Sequence, residues 1–227
     1  FTTFITSSGL IAVNKTLPEV EQWIADRMNK EQKVGAATGK LRSFIIEPFV
    51  PHQDNEEAYV CIYSHRHADT ILFYHQGGVD IGDVDSKAVK LDVPIGESVD
   101  EETIKDKLLG EVAAAKRQTV ARFIFHLYKL YVDLYFTYLE INPLVVTDSE
   151  IYILDLAAKL DATADFICKP MWGEIDYPPP FGRDAFPGEF WRGSGCGWQH
   201  CGFDKSYVKF NMNRGSRFVG CSILIEA

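Results

Sequence analysis

The segment that decides the fold is Glu140-Ile-Asn-Pro-Leu-Val-Val-Thr-Asp-Ser-Glu-Ile-Tyr-Ile-Leu-Asp155. Two apolar runs rich in β-branched residues flank a short polar break, a pattern that predicts a β-hairpin. With Asp148 and Ser149 as a two-residue loop, counting back pair by pair puts Asn142 opposite Asp155. The sequence therefore predicts these two side chains on adjacent antiparallel strands.

The polar side chains of this hairpin predict a metal site. Side chains alternate across a strand, so Glu140, Asn142, Asp155 and Ala157 are expected on one face. Directly opposed Cβ atoms are about 5 Å apart. An amide oxygen and a carboxylate at that distance suit Mg²⁺, which keeps several waters and takes other ligands from substrate phosphates. The alternative is a hydrogen-bonded cross-strand pair, with Glu140 either tuning the site or simply solvated.

The same residues carry a family resemblance. Glu140 to Val145 and Leu154-Asp-Leu-Ala-Ala-Lys159 resemble the nucleotide-site hairpin of the ATP-grasp ligases related to the succinyl-CoA synthetase β subunit. Three further segments restrict the resemblance to one group of these enzymes. They are Phe44-Ile-Ile-Glu-Pro-Phe-Val-Pro51, Gly77-Gly-Val-Asp-Ile-Gly-Asp-Val-Asp-Ser-Lys87 and Asp161-Ala-Thr-Ala-Asp-Phe-Ile-Cys168. Together, and in this order, they resemble the ATP-citrate lyases of the long single-chain animal type.

The resemblance implies a fold and a set of ligands. The fold would be α+β, an ATP-grasp cradle with the nucleotide held between two sheets, and the cofactors would be ATP and Mg²⁺. Glu47, Pro48 and Val50 would line the adenine pocket. Glu57 would accept hydrogen bonds from the ribose hydroxyls, because an ionised carboxylate is a strong acceptor. The alternative for these residues is an ordinary strand end with a solvated glutamate.

The resemblance also implies an activity: citrate, CoA and ATP would give acetyl-CoA, oxaloacetate, ADP and phosphate through a phosphohistidine. Citrate and CoA would bind domains outside this chain, and the parent enzyme would be a homo-oligomer. None of the six histidines matches the phosphohistidine, so all six are expected to be surface or core residues. The alternatives are an acyl-CoA synthetase β-type subunit and a non-catalytic interaction module. The Gly77 to Lys87 segment favours the lyase.

Composition excludes several classes of function. There are 32 acidic and 23 basic residues, and such an acidic chain does not attract the nucleic-acid backbone. The most apolar stretch, from 123 to 136, carries charges and is too short to cross a membrane. No signal peptide is visible, and five irregularly spaced cysteines do not indicate a disulfide framework. We therefore expect a cytoplasmic protein with neither nucleic-acid nor membrane partners.

Two regions differ from the family pattern. Residues 1–187 are expected to form an ATP-grasp domain that is incomplete at its N-terminus, because 1–8 lack the lysine and basic turn that would hold the phosphates. Residues 188–227 change composition abruptly and are expected to be a poorly packed tail. Cys196, His200 and Cys201 could begin a zinc site, but a fourth ligand with sensible spacing is missing.

Local patterns predict the remaining elements. Strands are expected over 9–14, 43–50, 58–64 and 70–74. Thr16-Leu-Pro-Glu19 is typical of a capping box before a helix that buries Val20, Trp23, Ile24 and Met28. Ser98-Val-Asp-Glu101 predicts a second capped helix, and apolar residues at three- and four-residue steps predict a long core helix from 113 to 135.

Overall fold

The computed structural model describes residues 10, 12, 14–34, 37–42, 44–78, 84–173 and 182, and two short strands near the C-terminus. The elements in chain order are α1 (Leu17–Ala25), β1 (Glu31–Val34), β2 (Ala37–Lys40), β3 (Glu57–Ser64), β4 (Ala68–Tyr74), α2 (Val84–Lys87), β5 (Val89–Pro94), α3 (Glu101–Leu108), α4 (Ala114–Asp133), β6 (Phe136–Val146), β7 (Ile151–Ile153), β8 (Leu156–Leu160), α5 (Asp165–Trp172), β9 (Lys205–Ser206) and β10 (Ile223–Glu226).

One mixed sheet organises the chain. Its strand order is β5-β4-β3-β6-β8-β10-β9, and β7 extends the pairing of β6. The central strands β3, β4, β6 and β8 pair antiparallel, whereas β10 runs parallel to β8. A separate hairpin of β1 and β2 completes the pairing among the described residues.

Helices cover one face of this sheet. The main core joins inward side chains of β3, β4, β6 and β8 to α3, α4 and α5, with Ile62, Ile124, Tyr131 and Ile141 fully buried at its centre. The opposite face carries a smaller cluster around Tyr59, and alternation along the strands separates the two sets. The smaller cluster therefore lies on the face where the candidate site is built.

Most predicted elements are confirmed. The strands predicted over 58–64 and 70–74 form as β3 and β4, and the long helix forms as α4. The α1 capping box also forms, because the carboxylate of Glu19 accepts from the backbone N–H of Thr16 at 2.8 Å. The helix predicted after Ser98 also forms. Its N-cap is Asp100 instead, because this carboxylate accepts from the backbone N–H of Thr103 at 2.7 Å.

Two expectations are wrong. Residues 44–50 form no strand, and Pro48 and Pro51 explain this because proline has no N–H to donate to a strand ladder. Helix α1 buries none of its residues fully, because it lies outside both hydrophobic clusters, and Trp23 instead meets the ring of Phe44 edge-on at 5.6 Å.

Several other expectations concern residues outside the described ones. These are most of the predicted strand at 9–14, the zinc candidates Cys196, His200 and Cys201, and most of the tail. Of the tail, the described pieces are β9 and β10, which pair with each other and, through β10, with β8. The domain boundary at 187 and the poor packing of the tail stay predictions.

Candidate functional site

The predicted hairpin forms in the predicted register. The backbone N–H of Thr147 donates to the carbonyl of Glu150 at 3.0 Å, so Asp148 and Ser149 form the loop. The backbone N–H of Asn142 donates to the carbonyl of Asp155 at 3.1 Å. The same register continues into β8. Asn142 and Asp155 are therefore partners on adjacent antiparallel strands.

The Asn142 side chain is oriented by a distant glycine. Its Oδ1 accepts a hydrogen bond from the backbone N–H of Gly78 at 2.8 Å. Gly78 has φ +93°, a conformation that favours glycine. Because a carbonyl oxygen has two lone pairs, Oδ1 keeps acceptor capacity for a second partner.

Glu57 lies on the other side of the same glycine. It begins β3, is 8% exposed, and its backbone carbonyl accepts from the N–H of Gly77 at 2.9 Å. Oε2 of Glu57 lies against Gly78 so closely that a Cβ there would come within 2.2 Å of it. Oε1 is 3.0 Å from Nε2 of His52. Glu57, Gly78 and Asn142 are thus one connected group.

Asp155 has a charged environment of its own. Its side chain is exposed at the end of the hairpin. Partial desolvation, followed by the negative charges of Glu140 and Glu47, raises the pKa of the Asp155 carboxyl. Acidic groups from the linker and from β6 therefore act on the same carboxylate, and a cation would relieve their repulsion.

The linker from Glu47 to Val50 forms neither helix nor strand and is largely exposed. Glu47 and Pro48 are exposed and Val50 is half-buried. The carbonyl of Val50 is 2.8 Å from Nδ1 of His52. His52 consequently joins Val50 of the linker to Glu57.

The residues present fit a hard divalent cation. In the described part of the chain, no three His, Cys, Asp or Glu side chains come together as a metal cluster. Mg²⁺ does not need one, because it is held by one or two protein oxygens together with substrate phosphates and water. The Asn142 amide oxygen and the Asp155 carboxylate offer that donor set, beside the negative charges of Glu140 and Glu47.

Tyrosines border the site on the same sheet face. The Tyr138 hydroxyl donates to the carboxylate of Glu140, and the Tyr59 hydroxyl donates to Asp85 at 2.5 Å. Lys159 Nζ is 5.5 Å from the centre of the Tyr138 ring. Burial raises the pKa of both tyrosines, so they remain neutral donors. Glu140 is therefore engaged by a neighbour on its own strand.

Sequence reasoning missed two residues of this group. His52 was expected to be a surface or core residue, and Gly78 was noted only as part of the Gly77 to Lys87 segment. The sequence shows only that His52 lies five residues before Glu57 and that two glycines follow β4 at positions 77 and 78, and neither feature links them to Asn142.

The comparison with known families identifies the family of the chain. The family model of the ATP-citrate synthase ATP-grasp domain matches residues 6–172. The chain belongs to this family. The α+β ATP-grasp fold and the resemblance to the ATP-citrate lyases are therefore confirmed.

Individual relatives and solved structures show how similar the chain is to known proteins. It is 58% identical over 181 residues to the ATP-citrate synthase of Bos taurus, and 57% identical to that of Homo sapiens. Each match covers 80% of the chain but only 17% and 16% of the relative, respectively. Among solved structures, ATP citrate lyase from Methanothrix soehngenii in complex with citrate and coenzyme A is 36% identical with a TM-score of 0.67. That match covers 77% of this chain and 40% of the other.

No described helix is both long and apolar enough to cross a membrane.

Proposed function

We propose that this chain forms the Mg-ATP site of an ATP-citrate synthase. The parent reaction would convert citrate, CoA and ATP into acetyl-CoA, oxaloacetate, ADP and phosphate. The observation that carries the proposal is the network in which Gly78 joins Glu57 to Asn142. It brings a carboxylate suited to a ribose and an amide oxygen suited to a metal to the same glycine, within a family of ATP-grasp domains.

Each proposed residue has a distinct task. Glu47, Pro48 and Val50 would line the adenine edge with backbone groups, and Glu57 would accept from ribose hydroxyls. Asn142 and Asp155 would hold Mg²⁺, which when bound neutralises charge on the phosphates. The acidic groups around Asp155 support this assignment, because a bound cation would relieve their repulsion.

The chain alone is proposed to bind without turnover. Phosphoryl transfer depends on positioning and on electrostatic stabilisation of the phosphates. The first eight residues contain no lysine or arginine. Two or three missing charge-assisted hydrogen bonds would weaken nucleotide binding by about two orders of magnitude or more. Citrate and CoA would bind elsewhere in the parent enzyme, which is proposed to be a cytoplasmic homo-oligomer.

A non-catalytic module is the second candidate, and the same lack of basic residues favours it. Such a module would keep the fold and join full-length subunits without binding nucleotide. Mg-ATP binding discriminates between the two candidates, because only the nucleotide-site proposal requires it.

The test combines calorimetry with an activity assay on the purified chain. Titration with Mg-ATP is expected to give weak, saturable binding, and ATP in excess EDTA should bind more weakly still. A coupled oxaloacetate assay with citrate and CoA should give no product. Absence of any Mg-ATP binding would overturn the nucleotide site, and robust oxaloacetate release would overturn the claim that this chain does not turn over alone.

A further inference from the structure

His52 lies between two groups that the proposed nucleotide site needs. Its Nδ1 is 2.8 Å from the carbonyl oxygen of Val50, and its Nε2 is 3.0 Å from Oε1 of Glu57. The His52 side chain is 15% exposed and that of Glu57 is 9% exposed, so solvent competes little for either contact. One ring therefore spans from the adenine linker to the start of β3.

The hydrogen-bond chemistry of this contact is restrictive. A carbonyl oxygen and an ionised carboxylate are both acceptors, so both ring nitrogens face acceptors. The neutral ring has one N–H and donates to one of them, whereas the doubly protonated ring donates to both. The contact to Glu57 is a hydrogen bond whenever Nε2 carries a proton, either in the Nε2–H tautomer or in the doubly protonated ring.

Glu57 is restrained from the opposite side as well. Oε2 lies against the backbone of Gly78, where any side chain atom would clash. A free glutamate side chain loses roughly 1.5–2 kcal/mol of rotamer entropy when it is ordered. Here His52 and Gly78 restrict the carboxylate in the absence of a ligand.

We propose that His52 is a positioning residue that sets ribose selectivity by fixing the orientation of Glu57. The inference rests on the proposed nucleotide site and adds a residue that contacts no nucleotide atom. A carboxylate held in one orientation can accept from a ribose 2′-hydroxyl. A 2′-deoxyribose lacks that donor and loses the hydrogen bond. His52 thus favours ATP over 2′-deoxy-ATP through Glu57.

The carbonyl of Val50 strengthens the same conclusion. His52 contacts this carbonyl at 2.8 Å, so its second partner is a residue of the proposed adenine linker. A displacement of His52 would change the linker and the ribose carboxylate together. The coupling predicts that sugar selectivity depends on a residue outside the sugar pocket.

The experiment measures the affinities of Mg-ATP and Mg-2′-deoxy-ATP for the whole 227-residue chain and its variants. His52→Phe keeps a planar ring and removes both ring nitrogens, whereas His52→Gln keeps a side-chain hydrogen-bond donor. The wild-type chain is expected to prefer ATP by roughly tenfold or more, the range of a charge-assisted hydrogen bond. His52→Phe should weaken ATP binding roughly three- to tenfold and leave 2′-deoxy-ATP within about twofold. His52→Gln should be intermediate.

A double variant completes the cycle. In a Glu57→Gln background, His52→Phe should change the ATP to 2′-deoxy-ATP ratio no further, because the carboxylate through which His52 acts is gone. Thermal unfolding of every variant, monitored alongside, separates loss of fold from loss of selectivity. His52→Gln provides the readout if His52→Phe does not fold.

The outcomes separate this inference from the proposed function. Equal weakening of both nucleotides by His52→Phe, or an unchanged ratio, overturns the positioning role while the nucleotide site stands. A wild-type chain that binds neither nucleotide overturns both proposals. A ratio that collapses in His52→Phe and recovers in part in His52→Gln supports the inference.

Discussion

The backbone N–H of Gly78 donates to the side-chain oxygen of Asn142 at 2.8 Å, across 64 positions of sequence. The same glycine lies against the carboxylate of Glu57. A segment that follows β4 therefore orients a side chain of β6 and restrains one of β3. This relationship makes Gly78 the centre of the candidate site.

Replacing Gly78 by alanine is expected to destabilise the fold more than the same change at Gly96. Both glycines have positive φ, +93° and +87°, so both substitutions carry backbone strain of roughly 1–3 kcal/mol. A Cβ at Gly96 meets nothing within 4 Å, whereas a Cβ at Gly78 would come within 2.2 Å of Glu57 Oε2. Urea unfolding should show an additional loss of at least about 1 kcal/mol for Gly78→Ala. Equal losses would mean that Glu57 moves aside at no cost.

Asp155→Asn is expected to remove the metal dependence of nucleotide binding. The amide has no charge to attract Mg²⁺, so Mg-ATP affinity should fall roughly tenfold or more and approach that of metal-free ATP. Calorimetry with and without EDTA measures this. The matched control is Asp148→Asn in the same hairpin, whose carboxylate is 3.3 Å from Lys116 and outside the proposed site. Loss of affinity in both variants would point to the hairpin as a whole, not to a metal ligand.

Asp155→Asn should also stabilise the nucleotide-free chain at neutral pH. Partial desolvation and the charges of Glu140 and Glu47 raise the pKa of this carboxyl, so the folded chain binds its proton more tightly than the unfolded chain. Stability therefore falls as pH rises from the unfolded value of about 3.9 through the raised folded value. At pH 7.5 the variant should unfold at a higher urea concentration than the wild-type chain, and this difference in midpoint should shrink towards pH 4.5. An advantage that grows on acidification would contradict the sign of this shift.

Cys61 is expected to resist alkylation in the folded chain. Cys61 lies on β3 in the small cluster around Tyr59; its side chain is buried, and burial raises the pKa of the thiol to about 12. The reactive thiolate is then a minute fraction at pH 8. Peptide mapping after iodoacetamide treatment should leave Cys61 unlabelled natively and label it fully in urea, which serves as the control. Rapid labelling of the native chain would show that β3 is accessible to the reagent from the sheet face that carries Tyr59 and Cys61.

Substitution of Asp69 should weaken the attachment of α4 to the sheet. The carboxylate is buried, and it accepts from the Ser64 hydroxyl at 2.7 Å and from the Tyr128 hydroxyl at 3.1 Å. Asp69→Ala leaves both donors without this acceptor and should cost about 1–3 kcal/mol in urea unfolding. Tyr128→Phe removes one donor and should cost less, about 0.5–1.5 kcal/mol. If Asp69→Ala and Tyr128→Phe lose the same free energy of unfolding, Ser64 finds another acceptor when Asp69 is removed.

The sequence alone determined the hairpin and its register. Side-chain alternation and the two-residue loop at Asp148-Ser149 leave one pairing that buries the apolar residues, and that pairing sets Asn142 against Asp155. The long helix α4 was equally predictable, because its apolar residues repeat at helical spacing over five turns. These features depend on local pattern, and local pattern is what a single sequence displays.

Other local patterns were too weak to predict. Strand β5 lies at the edge of the sheet, and half of its residues are Lys, Asp or Pro, so its pattern resembles a loop. Helix α5 contains Pro170, which argues against a helix in any sequence-based assignment. Both form because the surrounding structure supplies what the local sequence does not, a paired strand for β5 and a core contact for α5 through Cys168 and Trp172.

Only the tertiary structure decided which residues meet at the candidate site. Nothing in the spacing of His52, Gly78 and Asn142 links them along the chain. Their contacts exist because β3 pairs with both β4 and β6, which brings the linker before β3 and the turn after β4 beside the hairpin. Hydrogen bonds between distant residues depend on where strands end in space, and that position follows from the sum of all pairings rather than from any one segment.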